Sequence, residues 1–424
     1  MMQAFIVKTS ANITPFGEHV STMPVGGVTL RQWQADALNK NGFDVRYVNS
    51  EDEIPTDIAR FVTFDNIFFT FRGIRLFVEA WRKGGKQSGQ FALPKDSFFV
   101  SNFSDLQDCK YAADHRLYKI WLLSPGDETS AARTQPINFK EVILNMPVPK
   151  AITGINAWEH TVTTSIALDV THWLHVFQMN LLSIQTKWIE HVITHPLWSL
   201  SLLLKSIIKR PSLLLSLLRS DRFSSDHSLR KILDSIAPNA NITGKNVSIH
   251  PTAIVEGCII GDGVSIGPQA LVRNSIISAG STLQERVNVA FSVIGKQSFV
   301  SKHSVIHACA SFEEADMCMR GMQFCLVGRQ AALTTRATPI DISPGKPIRV
   351  EVDGSVQETQ QKMLGACFGH NVFIGADVYI APGRSIPNNI KIISDTSKIL
   401  ARLPKDVEPE RTYAVKNSTL QLIE

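Results

Sequence analysis

Aliphatic residues recur every six positions through the C-terminal half of the chain. They run Ile249, Val255, Ile260, Ile266, Val272, Ile277 and Leu283, slipping by one residue before Ile260 and again before Ile277. They resume as Phe368, Ile374, Ile380, Ile386 and Ile392. A strand repeats every two residues and a helix about every 3.6, so neither alone gives sixes. A solenoid of short strands and tight turns does, with one inward aliphatic on each side of a roughly triangular coil. Small residues beside the inward ones suit its corners, as in Ile260-Gly261-Asp262-Gly263 and Ile266-Gly267-Pro268. The coil is expected over 241–400, with an insertion at 307–365 where the rhythm lapses. There Ile348-Arg349-Val350-Glu351-Val352, followed by Asp353-Gly354, signals a hairpin. An excursion from a regular scaffold is a natural seat of binding specificity.

Residues 1–150 alternate strand-like and helical runs. Ala4 to Val7 reads as a first buried strand, Leu30 to Asn41 as a helix stopped by Gly42, and Asp44 to Val48 as a second strand. Arg60 to Phe64 gives a third strand ending at Asp65-Asn66, and Phe71 to Lys83 a helix stopped by Gly84-Gly85. This order predicts an α/β domain with a mostly parallel sheet, whose ligands sit at the carboxyl ends of the strands. Residues 151–240 read as a helical connecting segment, with Pro196 and Pro211 opening new helices. Its leucine-rich part, 197–219, carries Lys205, Lys209, Arg210 and Arg219. It suits either a membrane surface or a helical hairpin packed between domains or against another subunit. Residues 401–424 read as an extended, mainly polar tail.

Composition narrows the class. With 424 residues, 44% apolar and 19% charged, the chain has room for two or three cores. A net charge of +5 without a basic run gives no sign of nucleic-acid binding. Six cysteines without a C-x-x-C pair and no signal-like start lead to the expectation of a cytoplasmic protein with free thiols. No apolar stretch approaches the roughly 18 residues of a membrane span.

The segments IHPTAIVEGCIIGDGVSIGPQALV and FGHNVFIGADVYIAPGRSIP follow a hexapeptide pattern. Upstream, PVGGVTLRQWQADALNKNGFDVRYV reads as turn, helix and strand, and FVTFDNIFFT as a strand ending in aspartate. Together these resemble the sugar-nucleotide enzymes that join a nucleotidyltransferase domain to a hexapeptide-repeat left-handed β-helix. The resemblance implies a transferase acting on a nucleotide-sugar or sugar phosphate and assembling as a homotrimer. It makes Asp65 the carboxylate for Mg²⁺, with Lys8 and Asn66 beside the ligand; from the residues alone, Asp65-Asn66 equally suits a plain turn at the strand's end.

The loop after the first strand departs from that family. It reads Lys8-Thr9-Ser10-Ala11-Asn12-Ile13-Thr14-Pro15-Phe16-Gly17, with no Gly-x-Gly and no arginine. A phosphate loop needs backbone N–H groups in close approach and a neutralising cation, and only Lys8 stands near. Three functions therefore stay open: nucleotidyl transfer, acyl transfer on the coil, and binding without turnover. For acyl transfer the resemblance to hexapeptide acyltransferases implies a donor such as acetyl-CoA and a histidine base. His303, His307 and His370 lie in or near the coil as candidates, each set against a plain turn histidine. His172, His175, His191 and His195 have helix-face spacing for a metal, but no acid completes the set and Trp173, Leu174 and Val176 favour a packed junction.

Overall fold

The computed structural model describes residues 2–148, 150–154, 156–209, 240–344, 346–401, 403–404 and 407–423. The N-terminal sheet contains β1 (Met2–Val7), β2 (Phe43–Val48), β3 (Arg60–Phe64), β4 (Gly89–Pro94), β5 (His115–Leu123) and β6 (Arg133–Pro136). Their spatial order is β6-β4-β5-β3-β1-β2. β1 pairs in parallel with both β2 and β3, and Ala4 to Val7 are all buried, which is why four consecutive apolar residues stand there. Of these six strands β5 alone runs against its neighbours, so the sheet is mostly parallel. Helix α1 (Leu30–Asn39) opens on a Thr29/Gln32 capping box, and α2 (Phe71–Lys83) opens on Thr70 and stops at Gly84.

After a single helical turn at Lys150–Thr153, the connecting segment is extended and becomes helical again only at Trp173, later than expected. Ala157–Thr163 pairs antiparallel with Glu141–Pro147, and Ala167–Asp169 pairs with Ile67–Phe69. The β-branched run Thr161-Val162-Thr163-Thr164 favours this extended form. Helices α3 (Trp173–Thr194) and α4 (Pro196–Lys209) follow; Pro211 and the rest of the leucine-rich run lie outside the described residues. Among the described residues no helix is long and apolar enough to cross a membrane.

The C-terminal coil is built of stacked parallel strands on three faces, in the manner of a β-helix. The first face runs from Ile242–Thr243 to Ser385–Ile386 and the second from Ser248–Ile249 to Lys391–Ile392, eight strands each. The third begins at Ile254–Glu256 and includes Val305–His307. Stacked partners such as Ile242, Ile259, Ile276 and Val293 are 17 residues apart. Two sixes and a five make one circuit, which is the origin of the recurrent one-residue slip. Corner residues of successive coils, Gln269, Arg286 and His303, share a left-handed backbone.

The interruption is shorter than the expected 307–365. Coil strands continue through Asp316–Met317, Leu326–Val327 and Thr338–Pro339, and the excursion occupies 340–366. The circuit tightens here, with Ile306 stacked on Met322 and Ala310 on Leu326, 16 residues apart. Ser311, Met317 and Met322 also replace Ile and Val at the inward positions, so the rhythm is no longer legible. The excursion carries the expected hairpin, Arg349–Val352 with Ser355–Glu358. The tail, expected to be extended, closes a further hairpin from Tyr413–Lys416 and Thr419–Leu422.

Helix α3 joins the two halves. Trp173, Leu174, Val176, Phe177, Met179 and Leu182 are buried around its whole circumference, as a helix enclosed on all sides requires. It packs on the first coil face, whose outward residues Ile276, Val293 and Leu326 are themselves buried. Each such side chain contributes roughly 1.5–3 kcal/mol when taken from water. One continuous apolar core therefore spans the α/β domain, α3 and the outer side of the coil, whose interior forms a core of its own.

Candidate functional site

A cavity of 280 Å³ opens at the carboxyl ends of β1 and β3, lined by Thr9, Phe64 and Asn66 on that side. Gln90, Lys119 and Trp121 from β4 and β5 line it too, with the charged residues Glu51, Asp108, Lys110 and Asp169. The second and third strands lie on opposite sides of β1, so the strand order reverses here, the usual crevice of an open α/β sheet. Asn66 is buried with its Oδ1 unpartnered, an acceptor set at the cavity wall.

Asp65 lies at the end of β3, as its sequence position implies, and is 1% exposed. Thr9 N–H at 3.0 Å and Thr9 Oγ1–H at 2.8 Å both donate to its Oδ1. Its Oδ2 has no hydrogen-bond partner, and His19 Nε2 lies 3.7 Å away. His19 Nε2–H is already given to Thr9 O at 2.6 Å. The carboxylate is thus half-satisfied by the loop that a phosphate would otherwise meet. Among the described residues no three His, Cys, Asp or Glu side chains converge as a metal set. Asp65 offers one oxygen to a cation, too few to hold resident Mg²⁺ without oxygens brought by a ligand and water. Lys8 does not turn to this site: its Nζ donates to Asn49 Oδ1 at 3.0 Å on the exposed surface.

Asp169 is the acidic residue that sequence reasoning missed. It closes the apolar run Ile166-Ala167-Leu168, just as Asp65 closes β3, and that likeness was the available signal. Burial pushes its carboxyl up, against the pull of Arg116 and Lys119. Arg116, itself 1% exposed, stands 3.7 Å from Asp169 Oδ2 and donates to Ser104 Oγ and Gln107 Oε1. Asp169 Oδ1 has no partner. Lys119 and Lys110 are the cavity's cations, set among the acidic side chains Glu51, Asp108 and Asp169.

The loop following β1 is fixed from two sides. Asn180 of α3 accepts from Gly26 N–H and donates to Pro24 O, while Lys187 Nζ donates to Gly26 O at 2.6 Å. From the coil, Arg329 Nη1 donates to Glu18 Oε1 at 2.6 Å and its Nε to Glu313, holding its guanidinium well above the usual range. Asn388 Nδ2 donates to Phe16 O at 2.7 Å, and Phe16 stacks against Phe312 with centroids 4.6 Å apart.

The three coil histidines are not brought together. His303 is an exposed corner residue between the second and third faces. His307 ends a third-face strand; its Nε2 is buried and unpartnered, and burial lowers its pKa. His370 occupies the corner between the first and second faces, enclosed by Phe16 and Phe312. Its Nδ1 accepts from Arg329 N–H at 2.8 Å, and Nε2 sits 3.3 Å from Glu18 Oε1, off the hydrogen-bonding direction. It serves the joint between the halves. His172 and His175 are likewise committed, while His191 and His195 stack on each other with ring centroids 4.1 Å apart: His175 Nδ1 accepts from His172 N–H, and its Nε2–H donates to Asp105 O at 2.7 Å. His172 Nε2–H donates to Glu351 O at 3.1 Å, tying the excursion to α3.

Residues 233–315 match a protein-family model described as the GMPPB C-terminal domain. The first coils are thus similar to a β-helix domain associated with sugar nucleotidyltransferases, which suggests sugar-nucleotide metabolism. Comparison with curated proteins returns no match.

Proposed function

We propose that the protein belongs to sugar-nucleotide or sugar-phosphate metabolism and binds such a ligand at the α/β cavity without ordinary nucleotidyl transfer. The observation that carries this is Thr9 bonded twice to Asp65, in a loop pinned by Glu18 and Arg329. Nucleotidyl transfer needs donors and a cation free to follow charge onto the moving phosphate. Here the loop spends its donors internally, while Lys119 and Lys110 remain to receive a ground-state phosphate. Mg²⁺, if it takes part, enters with the ligand's own phosphate oxygens. Nucleotide-sugars should raise the melting temperature, because a ligand bound to the native state stabilises it. Lys119→Met should abolish that shift while leaving the unliganded melting temperature nearly unchanged. A full shift in the variant would remove the cavity from the account.

A second reading rests on His307, whose buried, unpartnered Nε2 is held neutral and suits a general base for acyl transfer. The donor would be an acyl-CoA such as acetyl-CoA, with a neighbouring copy in a homotrimer of left-handed β-helices completing the cleft. Consumption of acetyl-CoA that is lost in His307→Asn would establish it; no consumption would end it. The exposed Leu197, Leu200, Leu204 and Ile208 of α4 support peripheral contact with a membrane surface, which vesicle flotation tests.

A further inference from the structure

A second cavity, of 520 Å³, lies where the coil excursion closes on the α/β domain and α3. It shares no lining residue with the cavity at the strand ends. One wall is aromatic: half-buried Trp158 is braced edge-on by Phe324, with ring centroids 5.4 Å apart, and His160 lies at 5.5 Å. His160 is partly buried and opens onto the cavity, and burial lowers its pKa to about 4.

The facing wall comes from α3 and the excursion. Gln178 is 3% exposed and lines the cavity, yet its Oε1 has no partner. A buried amide oxygen without a donor costs about 1–3 kcal/mol unless something supplies one. The excursion beside it is rigidly set. Gln360 N–H donates to Asp105 at 3.1 Å, and Gln361 Nε2 donates to Asp105 Oδ2 at 2.9 Å. Asp105, whose carboxyl burial pushes up, is thereby spent on positioning. The charged lining residues are Lys362 and Glu159, one of each sign.

We propose that this cavity binds an uncharged glycosyl unit. A pyranose has an apolar C–H face that lies flat on an aromatic ring such as Trp158, and hydroxyls that donate to an amide oxygen such as Gln178 Oε1. A nucleobase also stacks on an aromatic ring, but a nucleotide brings phosphates, and one lysine beside a glutamate gives them no cationic cluster. This cavity therefore suits neutral sugar chemistry. The proposal stands independently of the ligand assigned to the first cavity.

The test is a tryptophan-fluorescence and thermal-shift titration of the full chain with methyl α-glucopyranoside, methyl α-mannopyranoside, N-acetylglucosamine and maltotriose, beside adenosine and guanosine. At least one saccharide should saturate both signals, and Trp158→Phe should remove the fluorescence change. Gln178→Leu should weaken binding about tenfold, the loss of one hydrogen bond, while melting at the same or a higher temperature because the unpartnered amide is gone. That stability readout separates a ligand contact from damage to folding. Binding should persist in Lys119→Met. The proposal is overturned if the nucleosides saturate and the saccharides do not, if no saccharide binds (a solvent-filled joint only), or if Lys119→Met abolishes saccharide binding.

Discussion

Arg329 of the coil donates to Glu18 of the N-terminal loop at 2.6 Å, linking residues 311 positions apart. Through this bond, and through Phe16 on Phe312, the coil determines the shape of the loop where the resemblance puts a phosphate. Arg329→Met should therefore lower stability by about 1–2 kcal/mol, a modest figure because the pair is partly exposed. Thermal melting reads the loss, and proteolysis should show the loop of residues 9–29 opening first. An unchanged cleavage pattern would mean that α3 alone holds the loop.

Thr9→Val removes one of two donors to a buried carboxylate without changing shape. The loss should be about 1.5–3 kcal/mol, the usual worth of a hydrogen bond to a charged group. Denaturant unfolding measures it. A neutral result would show that the Thr9 N–H alone satisfies Asp65.

Acid should weaken the junction at α3. Burial lowers His172 to about 4 and His175 to about 3, below the unfolded value of about 6.5. The unfolded chain then binds the extra protons, so their contribution is complete above about pH 6.5. It is lost as pH falls towards the folded values, at up to about 1.4 kcal/mol per pH unit for each group. His175→Gln should flatten that slope between pH 6 and 4 in melting experiments. A slope unchanged by the substitution would place the acid sensitivity elsewhere.

Gly295 sits where successive coils approach most closely. A Cβ there would stand 2.0 Å from Phe312 O, a backbone atom that cannot yield. Gly295→Ala should cost about 3 kcal/mol or more. Gly85→Ala, where a Cβ meets nothing within 4 Å, leaves only the strain of its left-handed backbone and should cost less. Equal losses in the two variants would contradict the stacking.

The coil was legible because Ile249 to Leu283 repeat one physical environment, and its slips encoded the circuit of sixes and fives. What escaped was the first, outward aliphatic of each pair on the first face, in Ile259-Ile260, Ile276-Ile277, Val293-Ile294 and Leu326-Val327. One faces the coil interior and the other faces α3. The second face instead alternates, as in Ser248-Ile249 and Ser265-Ile266, because it meets solvent. Those doublets announced the buried face in advance. Asp65 and Asn66 were placed by the end of a strand, a local signal. Asp169 carried the same local signal and was overlooked, while Lys119 and Gln178 reach their sites through pairing and packing across the sequence, which no local pattern encodes. The histidines read as one group because linear order conceals that they occupy different sides of a triangular coil.

The central claim is that the α/β cavity binds its sugar nucleotide or sugar phosphate but does not transfer a nucleotidyl group. Pyrophosphate release should be followed in one sample containing nucleoside triphosphates, sugar 1-phosphates and Mg²⁺, with ligand binding recorded by calorimetry in parallel. The account predicts saturable binding, lost in Lys119→Met, with no pyrophosphate above the protein-free rate. Pyrophosphate formed in step with a nucleotide-sugar product, and abolished by Asp65→Ala, would contradict it.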